Sequence, residues 1–242
     1  MEKIVSLNNA KVMKWNSLHK KKYRDEYGLF LVEGEHLVSE ARRAGQLDTL
    51  VSDGTVPFEF ENTVYVSEAV MKKLSANVSQ VHLIGVCRCR QTVEKETERV
   101  LLLDGVQDPG NLGTLVRTAV SFGFDAVYCS EECCDLYNEK AVRSTQGALF
   151  HIPVLRRDLN ILIPMLRRDG FRIYGTSLQE SRTMSEITEG HRMAFVLGNE
   201  GQGVHPEIIG LCDSSIRIEM DGFESLNVAV AGGIIMYHFR KK

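Results

Sequence analysis

Residues that could bind a small molecule stand out in the segment FVLGNEGQG, residues Phe195–Gly203. An apolar run ends here in a loop that contains three glycines together with the amide Asn199 and the carboxylate Glu200. Glycine lets a ligand approach the main chain closely, so the loop suits a small molecule held by backbone N–H and C=O groups. A plain turn into the next helix explains the loop equally well. Its spacing fits neither a P-loop nor a dinucleotide fingerprint.

A second loop, residues 104–111, is rich in turn residues and leads into a helix. Asn111 is predicted to cap that helix. The apolar residues of the helix share one side, which leaves Arg117 facing away from the local core. Its fork of donors would suit a phosphate or a substrate oxygen, although a solvated arginine agrees with the periodicity as well.

A third loop, residues 219–225, leads into a helix that is apolar nearly all round. Such a helix is buried against the core or against another subunit. Ser225 is predicted to cap it, and Asn227 places one amide in its first turn. Because a buried amide needs partners, Asn227 is expected to bond to a backbone group or a ligand.

Regular alternation of strands and helices after residue 99 predicts a parallel sheet covered by helices on both faces. Ligands bind such sheets at the carboxyl ends of strands, so the three loops are expected to share a pocket. The pattern of strands and helices in the N-terminal part predicts a smaller α/β unit. The polar and charged composition of residues 91–99 predicts a linker. We therefore predict two domains, 1–95 and 96–242. The expected strands are 28–32, 47–51, 63–66, 81–87, 100–104, 126–129, 152–155, 171–175, 193–197 and 215–218, and the expected helices are 36–44, 67–74, 111–122, 159–168, 206–211 and 226–239.

The composition of the 242-residue chain is that of a globular protein, with 43% hydrophobic residues, 25% charged residues and a net charge of −3. No apolar run reaches the ~20 residues of a membrane span or resembles a signal peptide, so we expect a cytoplasmic protein without a membrane partner. The six cysteines lack the paired spacing of a structural zinc site. Reduced thiols and no metal are therefore expected.

A basic run between Lys11 and Arg24 contains no acidic residue and is interleaved with Trp15, His19 and Tyr23. Cationic and aromatic groups together suit phosphate contact and stacking on unpaired bases, so RNA is the sharper hypothesis. A solvated helix face is the plainer one. The candidate RNA-contact residues of this run are Lys20, Lys21, Lys22 and Arg24.

Together the three loops resemble, in order and spacing, the three motifs of the SpoU family of RNA ribose 2′-O-methyltransferases, also called the TrmH family. The matching segments, all within residues 100–242, are LDGVQDPGNLGTLVRTAVSFGFDAV, FVLGNEGQGVHPEI and IRIEMDGFESLNVAVAGGIIMYHF. The N-terminal segments KVMKWNSLHKKKYR and FLVEGEHLVSEA look like the substrate-binding domain of many members. The resemblance implies a trefoil-knotted methyltransferase domain, S-adenosyl-L-methionine as cofactor and a homodimer formed through the C-terminal domain.

Site residues follow from the same resemblance. The candidate catalytic residues are those that match the functional polar positions of the three motifs, namely Asn111, Arg117, Glu200, Ser225 and Asn227. The expected cofactor-binding residues are Thr176, Leu197, Gly198, Asn199, Gly201, Ile218, Met220, Leu226 and Asn227.

Two further segments bear on the site. Residues 140–148 resemble the stretch between the first two motifs, which places Arg143 and Ser144 on the RNA side of the pocket. Glu219 stands where the third motif commonly has proline, a departure that affects the rigidity of that loop.

The implied reaction is methyl transfer from S-adenosylmethionine to a ribose 2′-hydroxyl. Arg117 is expected to polarise the hydroxyl or to hold the adjacent phosphate, with Glu200 and Asn111 orienting it. Ribosomal RNA is preferred because a separate N-terminal domain accompanies the ribosomal members more often. The alternatives are a transfer-RNA ribose methyltransferase and a catalytically silent RNA-binding protein of the same fold. A nucleotide-binding oxidoreductase lacks its glycine fingerprint.

Overall fold

The computed structural model describes residues 3–76, 80–89, 96–179, 181–221 and 225–241. Residue contacts divide the chain into two compact units, Met1–Cys89 with Tyr137–His151, and Arg90–Leu136 with Ile152–Lys242. Residues 91–95 of the predicted linker lie outside the described part.

The predicted helices and strands are confirmed within a few residues at each end, and short elements are added to them. In the N-terminal part these are β1 (Lys3–Ile4), α1 (Ala10–Ser17), α2 (Lys21–Tyr27), β2 (Leu29–Glu33), α3 (Glu35–Arg43), β3 (Leu47–Ser52), β4 (Thr63–Val66), α4 (Glu68–Leu74) and β5 (Leu83–Arg88). They continue as β6 (Arg99–Leu103), α5 (Pro109–Ser121), β7 (Ala126–Cys129), α6 (Glu139–Thr145), β8 (Val154–Arg156), α7 (Leu159–Arg168), β9 (Arg172–Thr176), β10 (Arg182–Thr183), β11 (Met193–Leu197), α8 (Pro206–Leu211), β12 (Ser214–Arg217) and α9 (Val228–His238).

In the first unit, the described strands form a mixed sheet of order β1-β4-β3-β5-β2. The strands β1, β4 and β3 run parallel, and β5 is antiparallel to both of its neighbours. Trp15 is only 5% exposed and belongs to the core. Of the three aromatic side chains in the basic run, Trp15 is therefore structural and does not offer a ring for base stacking.

The segment Tyr137–His151 follows β7 in sequence but packs in the first unit. Val142, Leu149 and Phe150 are buried there in one apolar cluster with Phe30. The sequence prediction had placed this segment in the second domain. The segment joins the first unit because its apolar side chains are buried there, and burying one such side chain contributes about 1.5–3 kcal/mol.

The second unit is built on a sheet whose seven described strands are all parallel, in the order β10-β12-β9-β11-β6-β7-β8. Every residue of the central strands β6 and β11 is buried. Strands covered on both faces read as continuous apolar runs, which is why both were visible in the sequence. The expected parallel α/β fold is confirmed, and the trefoil knot stays a prediction.

The two helices that carry polar site residues begin differently from the prediction. Asp108 is the N-cap of α5, where its carboxylate accepts from the Asn111 N–H at 2.9 Å. Asn227 caps α9 by accepting from the N–H groups of Ala229 and Val230. The predicted caps, Asn111 and Ser225, were wrong because a better acceptor lies three residues before Asn111 and two residues after Ser225.

Other expectations concern membranes, metals and thiols. No helix in the described part of the chain combines the length and the apolarity needed to cross a bilayer. The described residues include no group of three or more His, Cys, Asp or Glu side chains arranged to hold a metal ion. The six cysteines, all of which are described, form no disulfide bond.

Candidate active site

A cavity of about 610 Å³ opens in the second unit at the carboxyl ends of β9, β11 and β12. This volume lies within the range of about 300–1,000 Å³ that is typical of small-molecule sites. Its position is the one expected of a ligand site on an open parallel sheet. The structure brings together, along its wall, eight residues predicted to bind the cofactor: Thr176, Leu197, Gly198, Asn199, Gly201, Ile218, Met220 and Leu226.

A tight loop, residues 198–205, lines the cavity through residues 198–204. We call it the cofactor loop, since several of its residues are predicted to bind the cofactor. The backbone N–H groups of Asn199 and Gly203 each donate to the other residue's carbonyl, at 2.9 and 3.0 Å. Gly203 has a φ of 74°, which favours glycine. A Cβ on Gly198 would lie 2.0–2.2 Å from backbone atoms of Gly203 and Val204. Gly198 is therefore required by the close approach of two backbone segments.

Asn199 shapes this loop with its side chain. Its Oδ1 accepts from the N–H groups of Gly201 and Gln202, and its Nδ2 donates to the Gly105 carbonyl at 2.8 Å. The side-chain amide is thus engaged within the protein on both sides. Asn199 lines the cavity, and its demonstrated contacts hold the loop in shape.

Three of the five candidate catalytic residues form one hydrogen-bond network. The Asn111 Nδ2 donates to Glu200 Oε1 at 2.9 Å, and the Asn227 Nδ2 donates to Asn111 Oδ1 at 3.1 Å. Glu200 also accepts from the backbone N–H groups of Gln107 and Asp108, at 3.2 and 3.1 Å. The network therefore joins the three sequence motifs at one point.

The Glu200 carboxylate is held ionised by this arrangement. Partial burial raises its pKa, but the hydrogen bonds from Asn111 and from backbone N–H groups outweigh burial and lower the pKa below its ordinary value. A carboxylate with a lowered pKa is a weak proton acceptor at neutral pH. Glu200 is thus suited to orient Asn111 and the loop at 104–108.

The other two candidate catalytic residues lie outside the network. Ser225 lines the cavity. Arg117 is exposed on α5, as its helical position predicted, and among the described residues its guanidinium has no hydrogen bond or ion pair. The role of Glu200 and Asn111 in orienting Arg117 stays a prediction. Their hydrogen bonds join them to each other, to Asn227 and to backbone N–H groups of the loop at 104–108.

The candidate RNA-contact residues divide into two groups. Lys20, Lys21 and Lys22 are exposed in the first unit. Arg24 is only 5% exposed, and its guanidinium donates to the Leu18 carbonyl at 2.6 Å. The prediction that Arg24 contacts RNA is therefore wrong, since its charged end is committed to the fold.

Arg143 and Ser144 lie on α6, which belongs to the first unit and not to the unit that holds the cavity. Ser144 donates to the Lys140 carbonyl at 2.8 Å, as exposed helical serines commonly do. A role of these two residues in RNA contact stays a prediction.

The sequence reasoning missed part of the cavity wall, namely Ser177, Leu178 and Gln179 after β9. Only the loops after three other strands had been named as ligand loops. The same rule would have found this one, because the apolar strand at 171–175 also ends in a polar Thr-Ser pair.

Comparison with known proteins agrees with this geometry. Residues 98–237 match the SpoU rRNA Methylase family, and residues 9–84 match the MRM3-like substrate binding domain. The chain therefore belongs to the SpoU rRNA methylase family.

Relatives match over both units. The chain is 39% identical to the 23S rRNA (guanosine(2553)-2′-O)-methyltransferase RlmP of Bacillus subtilis, covering 99% of this chain and 100% of that protein. An AdoMet-bound rRNA methyltransferase from Sinorhizobium meliloti superimposes with a TM-score of 0.87 at 29% identity, covering 98% of this chain and 96% of that one. A protein of Porphyromonas gingivalis assigned to the TrmH family of RNA methyltransferases superimposes with a TM-score of 0.87 at 31% identity, covering 97% of this chain and 98% of that one.

The cofactor loop yields a test within itself. Gly198→Ala should weaken S-adenosylmethionine binding, because the new methyl group would overlap backbone atoms that cannot yield. Overpacking of this kind costs about 1–3 kcal/mol, which corresponds to a loss of affinity of roughly 5-fold to 150-fold. Isothermal titration calorimetry measures this loss. Gly201→Ala is the matched control, since its Cβ would meet only Asn199 Oδ1 at 3.6 Å. Equal losses in both variants would contradict the close-approach argument.

Proposed function

We propose that this protein transfers a methyl group from S-adenosylmethionine to a ribose 2′-hydroxyl of large-subunit ribosomal RNA in the cytoplasm. The observation that carries the proposal is the Glu200, Asn111 and Asn227 network, which joins all three motifs beside the cavity. A silent RNA-binding protein would have no use for this constellation. The Bacillus subtilis relative, whose name states methylation of 23S rRNA, matches both units and supports the same class of RNA.

The cavity fits S-adenosylmethionine by the character of its wall. Leu197, Ile218 and Leu226 offer apolar surface for a nucleoside, while Thr176, Ser177 and Gln179 add polar side chains to the same wall. These residues would hold the cofactor, with Gly198 allowing close approach. When bound, S-adenosylmethionine supplies a methyl group on a positively charged sulfur, which is a good leaving group.

Positioning is the main work left to the protein, and fixing two reactants can contribute about 7–11 kcal/mol. We assign to Glu200 and Asn111 the task of fixing the loop at 104–108 and the start of α5. Arg117 keeps its proton in protein settings. Its charge would therefore stabilise the developing ribose oxyanion or hold the neighbouring phosphate, while water or an RNA phosphate oxygen accepts the proton.

The test is a map of 2′-O-methyl groups on total RNA from cells with and without this protein. One methyl group on large-subunit ribosomal RNA should disappear, and the wild-type chain should restore it whereas Arg117→Ala should not. Loss of a transfer-RNA methyl group would instead support the transfer-RNA alternative. An unchanged map would contradict the proposed activity.

Purified Arg117→Ala should show kcat lowered by about 10²-fold or more, as for loss of one transition-state donor. Its dissociation constant for S-adenosylmethionine should stay within about twofold of the wild-type value, because charge on the reacting oxygen develops only in the transition state. Arg168→Ala, which removes an exposed arginine from α7, is the control. Near-normal turnover in Arg117→Ala would end the catalytic assignment.

The first unit is proposed to bind RNA through the basic surface of α1 and α2. Tyr23 and Tyr27 stack there with ring centroids 6.0 Å apart. The Lys14 Nζ lies 4.8 Å from the Tyr27 ring and the Lys22 Nζ lies 5.7 Å from the Tyr23 ring. With Trp15 buried, these two tyrosines are the aromatic component of the surface.

Reversing the charge at Lys20, Lys21 and Lys22 together, as Lys→Glu, should weaken RNA binding and reduce its salt dependence. Loss of three phosphate contacts to single-stranded RNA would lower the slope of log K against log salt by about 2. Three reversals at the exposed residues Lys72, Arg168 and Arg172 provide a control with the same net charge. Identical binding curves for both triple variants would contradict RNA contact by the three lysines and would support the alternative that they form a solvated helix face.

A homodimer formed through α9 is proposed from an apolar stripe on this helix. Its exposed side carries Val230, Ile234 and Tyr237, of which Val230 is 51% and Tyr237 56% exposed. They recur at helical spacing opposite the buried residues of the same helix. Monomers rarely expose contiguous apolar patches, so a second copy is the occupant that fits.

Ile234→Glu should therefore convert the dimer into a monomer, because a charge buried in the contact costs more than the contact gains. Sedimentation velocity measures the outcome. Ile161→Glu, at a 62% exposed apolar residue of α7, should leave the dimer intact. A wild-type chain that sediments as a monomer would refute the proposed dimer.

A further inference from the structure

The residue that ends the cofactor loop, His205, is bonded to a buried carboxylate at the end of β6. Asp104 is only 4% exposed, and its Oδ2 accepts from both the backbone N–H and the ring Nδ1 of His205, at 2.8 and 2.9 Å. These two donors account for the carboxylate oxygen that faces the loop. The pair joins the last residue of the second motif's loop to the first residue after β6.

This contact lies at one end of a seam between the cofactor loop and the loop at 104–108. Further along, the Asn199 side chain donates to the Gly105 carbonyl, and Glu200 accepts from the Gln107 and Asp108 amides. The cofactor loop is therefore fixed at both ends. Of these ties, only the Asp104–His205 pair contains a group that titrates near neutral pH.

We propose that Asp104 and His205 are positioning residues that hold the cofactor loop in its binding shape, and that protonation of His205 strengthens this hold. Neither residue lines the cavity, so they act through the loop. The inference rests on the proposed function, because the shape of this loop matters to activity only if the cavity binds S-adenosylmethionine.

Three acidic residues of the described chain act on the charge of His205. Asp104 directly follows β6, Glu132 lies in the loop after β7 and Glu207 lies on α8. The Glu132 Oε2 is 3.5 Å from the His205 Nε2. The hydrogen bond to Asp104 and the charge of Asp104 raise the pKa of His205 above its ordinary value, and the other two carboxylates add to this. The imidazolium is thus favoured in the folded loop.

The direction of the pH dependence follows from the raised pKa. Stabilisation by the pair is complete below the unfolded histidine pKa of about 6.5 and is lost as the pH rises through the higher folded value. The dissociation constant for S-adenosylmethionine should accordingly increase between about pH 5.5 and pH 8.5. The expected result is therefore a dissociation constant that is measurably larger at about pH 8.5 than at about pH 5.5.

The experiment compares wild type, His205→Asn and Asp104→Asn by calorimetry across this range. His205→Asn keeps a neutral donor but cannot titrate, so its affinity should match the wild-type value at high pH and lack the gain at low pH. Asp104→Asn should behave likewise. The control is His191→Asn, a 77% exposed histidine beside Glu98, which should keep the wild-type profile. A pH profile of His205→Asn that parallels the wild type would overturn the proposal.

Hydrogen exchange of the free protein separates this inference from the proposed function. The amides of Gly201, Gln202 and Gly203, which are bonded within the loop, should exchange faster in His205→Asn than in wild type at low pH. Failure of the wild type to bind S-adenosylmethionine would refute the proposed function alone. Unchanged exchange of these amides would refute the positioning role alone.

Discussion

The site in the second unit depends on one carboxylate, Glu200, because its hydrogen bonds connect segments that are far apart in the sequence. Asn111 is 89 residues away from it along the chain, and Asn227 is bonded in turn to Asn111 across 116 residues. Burial opposes the charge on Glu200, and the donors around it more than compensate. The polar groups of the three motifs are therefore held by hydrogen bonds within the protein, which lowers the cost of organising them during reaction.

The meeting of Asn111 with Asn227 requires that α5 and α9 pack closely. A Cβ on Gly232 would lie 2.3 Å from the Leu115 side chain and 2.7 Å from that of Leu197. Leu115 and Gly232 lie about one helical turn beyond Asn111 and Asn227, so the two helices approach over at least one turn. Gly232 therefore allows the close packing of α9 against α5, while Val230, Ile234 and Tyr237 lie on the exposed side of α9.

How far the sequence predicts this structure depends on the range of the interaction. Buried strands such as β6 and β11 were found because continuous apolar runs are a local signal. Cavity residues were found because loops at the carboxyl ends of parallel strands share a site. Helical periodicity also placed Arg117 on the exposed side of α5.

The wrong predictions concern residues whose partners are set by tertiary packing or by competing caps. Arg24 reads as one more cation of a basic run, yet it donates to the carbonyl of Leu18 and is buried. Asn111 is a residue type that often caps helices, but Asp108 caps α5 instead. The Asn111 side-chain amide is therefore available to donate to Glu200. Tyr137–His151 belongs to the first unit through apolar contacts that periodicity does not reveal.

Proton removal is the step for which the five candidate catalytic residues offer no obvious base. Glu200 has a lowered pKa and its oxygens already accept three hydrogen bonds. Arg117 retains its proton, and the amides of Asn111 and Asn227 are not bases at neutral pH. The acceptor consistent with these properties is solvent or a phosphate oxygen of the RNA itself. In the latter case the substrate backbone completes the site, so that binding the correct RNA and activating its hydroxyl become a single requirement.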